Sequence, residues 1–156
     1  MTSNTIEHKV SIFISSKCGE KYEIMRKALK QLLLETGLTE VYCFETEPSS
    51  SENMPSAYLQ HVDWSQLLVL IVDNKDDISI ATMSEFKRAR ELGIRILAVF
   101  CDEYSKVKTQ VEQDIIDQNL CKFSTVSKFS DIAQMAYKSV MQDVISVYRK
   151  KKEVKE

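Results

Sequence analysis

The sequence predicts an α/β fold: a three-layer sandwich around a five-stranded parallel sheet in the order 2-1-3-4-5. Three observations predict it. Strand-like and helix-like segments alternate along the chain, the pattern of a doubly wound parallel sheet. The most apolar run, QLLVLIV at 66–72, lacks the polar alternation of a half-exposed strand and suits one covered on both faces. Glycine (3) and proline (2) are too scarce for a tight-turned all-β fold.

The first strand is HKVSIFIS (8–15), rich in β-branched and aromatic residues. From Glu20 to Thr36, Tyr22, Met25, Leu29, Leu32 and Leu33 recur at helical spacing, and Gly37 stops the helix. EVYCFE (40–45) is a short second strand. The polar segment 46–55, TEPSSSENMP, holds both prolines and is expected to be the most mobile internal stretch. A short helix at about 55–62 precedes the third strand, and Trp64 between them reads as packing.

A helix opening at TMSEF follows, with Phe86, Ala89 and Leu92 inward and Gly93 at its end. Then come a strand at 94–101, a helix at 106–118, an edge strand at 120–125 and a last helix at about 129–149. The expected organisation is one domain over 1–149 and a solvated charged tail over 150–156. Strands one, three and four should be central and strands two and five should form the edges. Five strands in this arrangement give the flavodoxin-like order, with the topological switch between the first and third strands.

At 156 residues the chain can bury a core without metal or disulfide help. A net charge of −2 argues against a nucleic-acid partner, and no apolar run approaches the length of a membrane span. The four cysteines are widely spaced without a CxxC pair, which reads as a reduced, cytoplasmic chain. His8 and His61 fall in no zinc-ligand pattern, so neither metal nor cofactor is expected.

Ligands of such sheets lie beyond the carboxyl ends of the strands at the switch point. That rule selects Ser15, Ser16, Lys17 and Cys18 after strand one, and the segment from Asp73 through Ser84 to Glu85 after strand three. Phe44 and Glu45, Asp102 and Tyr104 flank them. The serine hydroxyls and the free amides beside them could bind a ribose or phosphate, although neither GxGxxG nor GxxxxGK[ST] is present. Glu85 has two readings. It is either the N3 partner of a capping box begun by Thr82, or a carboxylate placed for chemistry.

The stretches VSIFISS, LIVDN and SEFKRARELGIRILAVF resemble the TIR-like domains whose first strand reads Phe-Ile-Ser-Ser. Those domains stand at the N-termini of NTPase and repeat proteins, many linked to anti-phage defence. The resemblance spans roughly 8–148 and is carried by Phe13-Ile14-Ser15-Ser16, Ser84-Glu85-Phe86, Ala89 and Gly93. More distantly, the layout is similar to TIR domains and nucleoside deoxyribosyltransferases.

The resemblance implies that Glu85 is the counterpart of a glutamate acting at the bond between ribose and base. On that reading Ser15 and Ser16 hold ribose or phosphate, and Phe44 stacks on the base. Lys17, Asp73 and Ser84 complete the binding set, and Glu23 and Arg26 are candidate polar partners on the first helix. NAD is the candidate substrate, and self-association through helix faces is expected. The competing expectation is a non-catalytic interaction module. A deoxyribosyltransferase-like enzyme is disfavoured because that family's second carboxylate motif is missing.

Overall fold

The computed structural model describes residues 9–43 and 54–155. Five strands alternate with five helices: β1 (Val10–Ser15), α1 (Glu20–Glu35), β2 (Thr39–Tyr42), α2 (Met54–Asp63), β3 (Leu67–Asp73), α3 (Ile80–Glu91), β4 (Arg95–Cys101), α4 (Gln110–Gln118), β5 (Lys122–Val126) and α5 (Ile132–Lys155). A single 3-10 turn, Phe129–Asp131, leads into α5. The sheet runs β2-β1-β3-β4-β5, and every neighbouring pair is parallel. The expected order and the central place of β1, β3 and β4 are therefore observed.

β3 is buried along its whole length because successive side chains enter different cores. Val69 and Ile71 join Ile12, Ile14, Leu97 and Val99 beneath α1 and α5. Leu68, Leu70 and Val72 join Phe13, Ala98 and Phe100 beneath the face that carries Val62, Phe86, Ala89, Val111 and Ile115. A half-exposed strand would alternate apolar and polar residues; this one has no exposed face, so QLLVLIV does not. Gly37 and Gly93 both sit at positive φ, 72° and 70°, directly after helix ends, where a Cβ would be strained.

Several boundaries differ from the sequence reading. α3 begins at Ile80, not at the TMSEF stretch, because Ser79 is its N-cap and the Ser79 side chain accepts from the Thr82 N–H at 3.1 Å. Leu92 is exposed instead of inward, as it caps the end of α3 where the helix has run off the sheet. Trp64 is 69% exposed and so is not core packing; it meets only the edge of His61 among the ring contacts of the described residues. The helical backbone of α5 continues through Lys155, into the charged run expected to be a tail. α2 takes in Met54 and Pro55, while the rest of the 46–55 segment expected to be mobile lies outside the described residues.

Candidate functional site

The switch point lies between β1 and β3, and three segments meet there: the β1–α1 turn, the β3–α3 loop and the first turns of α3. α3 crosses this seam because Phe86 and Ala89 anchor it to the sheet. Glu85 shares that buried face, one residue before Phe86. It is 8% exposed, and its Oε1 accepts the Ser15 hydroxyl proton at 2.6 Å. With α3 starting at Ile80, Glu85 falls in the second turn, beyond reach of the orphan amides. The capping-box reading of Thr82 and Glu85 is thereby overturned: Ser79 caps the helix, and the carboxylate belongs to β1.

Arg26 of α1 is also buried, and its guanidinium donates to Ser16 Oγ at 2.6 Å and to the Lys17 carbonyl at 2.7 Å. It holds the β1–α1 turn against the helix and places a positive charge near Glu85. Burial pushes the Glu85 carboxyl up to about 7, while the Ser15 hydrogen bond and the Arg26 charge pull the other way. A carboxyl poised near neutrality in a cleft is suited to either proton transfer or stabilisation of positive charge.

The cleft beside Glu85 is narrow, about 50 Å³, and is lined by Ser16, Cys18, Arg26, Tyr42, Ser79 and Thr82 among others. Ser15 does not line it. Tyr42 is stacked between Phe13 and His61, at centroid distances of 5.0 and 3.8 Å, and forms the aromatic wall on the β2 side. Larger grooves lie elsewhere, one of about 590 Å³ along β5 and α5 and one of about 500 Å³ between α2 and α3 that takes in Ser84, but neither is lined by Ser16 or Glu85.

A second cluster occupies the α1 side of the same sheet end. Asp73, the last residue of β3, is fully buried; its carboxylate accepts from Lys21 Nζ at 2.6 Å and from the Lys75 backbone N–H at 3.0 Å. Lys21 also meets Asp76 at 2.9 Å, and Asp76 accepts from the Tyr22 hydroxyl at 2.8 Å. Burial opposes the Asp76 charge, but the bonds from Lys21 and Tyr22 together hold its carboxyl below the usual range. The Lys21 ammonium sits 4.8 Å from the centre of the Phe129 ring and 5.5 Å from that of Tyr104. Asp73 is therefore committed to an ion pair within the fold.

Of the expected site residues, the structure brings Ser15, Ser16 and Glu85 together. Lys17 turns away from Glu85 to donate to the Asp76 carbonyl at 3.2 Å. Ser84 is exposed, and its hydroxyl donates back to the Ile80 carbonyl of its own helix. Phe44 lies outside the described residues. Lys21 and Tyr42 were missed; the signal for Lys21 was its place beside buried Tyr22, in the first helical turn facing the end of β3. Among the described residues no group of three or more His, Cys, Asp or Glu could hold a metal ion. None of the described helices is long and apolar enough to cross a membrane.

Comparison with known proteins matches residues 11–156 to the family described as Domain of unknown function (DUF4062). Among solved structures, the Clostridium botulinum CMP N-glycosidase BcmB has a TM-score of 0.59 at 14% identity, covering 80% of this chain and 95% of that one. A conserved protein from Enterococcus faecalis V583 has a TM-score of 0.53 at 16% identity, covering 84% and 99%. Translation elongation factor SelB from Methanococcus maripaludis has a TM-score of 0.52 at 13% identity, over 90% of this chain but 33% of that one. At these identities the likeness is one of fold. No curated protein matches the chain.

Proposed function

The chain belongs to the DUF4062 family, and from that premise we propose that it is a TIR-like domain that binds a ribonucleotide and cleaves its N-glycosidic bond. The observation that carries this is the buried carboxylate of Glu85 at the switch point, held by a strand hydroxyl in a cleft. Loss of a base from ribose passes through an oxocarbenium-like centre, and an ionised carboxylate beside it stabilises that charge or attacks it. Ser16, at the cleft and fixed by Arg26, would meet the ribose hydroxyls or phosphate, and the edge of the Tyr42 ring, its faces covered by Phe13 and His61, would border the base.

Two neighbouring facts support the reading. One protein of this fold is a CMP N-glycosidase, so the scaffold is compatible with such chemistry. The first-strand Phe13-Ile14-Ser15-Ser16 motif fits the TIR-like group, from which NAD follows as the first substrate to test and anti-phage defence as the setting. A reducing, cytoplasmic setting, read from the wide spacing of the four cysteines in the sequence, belongs to the same proposal.

Two observations favour the second reading, a non-catalytic module that assembles through helix faces. A cleft of about 50 Å³ is far below the roughly 300 Å³ of a small-molecule site, and α1 exposes Ile24 and Leu34 on its outer side. Incubation of concentrated protein with NAD, and separately with CMP, decides between them. Release of nicotinamide or cytosine that disappears in Glu85→Gln supports the enzyme. No release from clustered protein, with concentration-dependent sedimentation lost in Ile24→Glu, supports the module.

A further inference from the structure

We propose that Ser15 is a positioning residue for Glu85, not a substrate ligand: its hydroxyl fixes one carboxylate oxygen and leaves the other to the cleft. This rests on the proposed role of Glu85. Ser15 is 1% exposed and absent from the cleft wall, whereas its neighbour Ser16 and Glu85 both line that wall. Its single hydroxyl proton is spent on Glu85 Oε1 at 2.6 Å. A ligand in the cleft therefore meets Ser16, not Ser15.

The anchor is rigid. Ser15 ends a central strand and pairs with Leu70 of β3, so the sheet fixes its Oγ. Glu85 reaches across from α3 on a side chain with three rotatable bonds, whose direction the hydroxyl sets. The charged and titratable groups facing Glu85 from its surroundings are Arg26 of α1, Cys18 of the β1–α1 turn and Tyr42 of β2. Of these, Arg26 favours the ionised carboxylate, as the Ser15 hydroxyl does. Ser15 thus has two effects on Glu85: it aims the group, and it keeps the group charged at lower pH than burial alone would allow.

The test uses the full chain labelled with 13C at glutamate side chains, the Glu85 signal being identified by its loss in Glu85→Gln. In Ser15→Ala the titration midpoint of Glu85 is expected to rise by about one pH unit or more, and in Ser15→Thr to stay near that of the wild type. With NAD as substrate, Ser15→Ala should lower kcat at pH 7 by about fivefold or more with KM unchanged, and Ser15→Thr should restore it. An unmoved midpoint in Ser15→Ala overturns the proposal, as does a raised KM with kcat intact, which would make Ser15 a ligand. If Ser15→Ala fails to fold, Ser15→Cys, a weaker donor of similar size, carries the same comparison with a smaller upward shift. Should the wild type cleave no nucleotide, the reading of the function fails, while the midpoint still decides the role of Ser15.

Discussion

The Ser15 hydroxyl and the Glu85 carboxylate meet at 2.6 Å although they stand 70 positions apart in the chain, tying α3 to the end of β1 beside β3. Everything proposed for the site depends on the state of that carboxylate, and its titration is open to measurement.

The first prediction concerns stability against pH. Burial raises the folded-state value of Glu85 from 4.5 to about 7, so the unfolded chain ionises first. The favourable contribution of the protonated group is complete below pH 4.5, declines as pH rises and is gone above pH 7, a loss of about 3 kcal/mol. Glu85→Gln removes that dependence. Urea unfolding should find the variant close to wild type at pH 4.5 and more stable than wild type at pH 8; equal stability at pH 8 would refute the raised value.

The second concerns turnover. If the ionised carboxylate stabilises the ribosyl cation, NAD cleavage should rise with pH through a midpoint near 7. Glu85→Gln should abolish cleavage across the whole range, because an amide carries no charge. A rate that falls with rising pH instead would assign Glu85 as a proton donor.

The third concerns the start of α3. Ser79→Ala should cost about 1 kcal/mol, since the Ser79 hydroxyl both accepts the Thr82 N–H and donates to the Thr82 hydroxyl. Thermal melts of Ser79→Ala beside Glu85→Gln at pH 5 check this: the first should melt lower, the second should not.

The fourth concerns the buried Asp73. Lys21→Met strips its cation and should destabilise by about 2 kcal/mol, less than a sealed pair would lose because Lys21 is 38% exposed. Asp73→Asn added to Lys21→Met should recover part of the loss. Additive losses in a double-mutant cycle would show that the two groups are not coupled.

The layers and strand order were legible because burial imposes periods on sequence. β3 is apolar at every position before Asp73, α1 shows Tyr22, Met25, Leu29 and Leu33 at helical spacing, and Gly37 and Gly93 mark helix ends. The site was half legible. The switch-point rule found Ser15 and Glu85 separately, but nothing local couples residues 70 apart. The cap of α3 differs from the sequence reading because, of the three hydroxyls in SIATMSE, both Ser79 and Thr82 are followed by a plausible first turn; only the backbone distinguishes them. Lys21 escaped notice because a charged residue in an acidic first turn resembles a solvated one, and its partner Asp73 lies beyond two intervening elements. Ser84 enters with the Ser84-Glu85-Phe86 stretch of the resemblance, yet neighbours on a helix point about 100° apart.

An all-parallel sheet also sets when the site comes into being. No neighbouring strand pair here is closed by a hairpin; each needs a crossover, and the β1–β3 pairing joins Ile12 to Leu67. Such long-range pairings form late in folding, after the helices have begun to appear. Ser15 and Glu85 cannot meet until β1, β3 and α3 have all docked, so a chain in which any of the three is still undocked carries no assembled dyad. In a refolding experiment, helical signal should recover first and cleavage should lag behind it. For a protein that would consume a nucleotide the cell depends on, the topology itself keeps the chain inert until its first and third strands and α3 have come together.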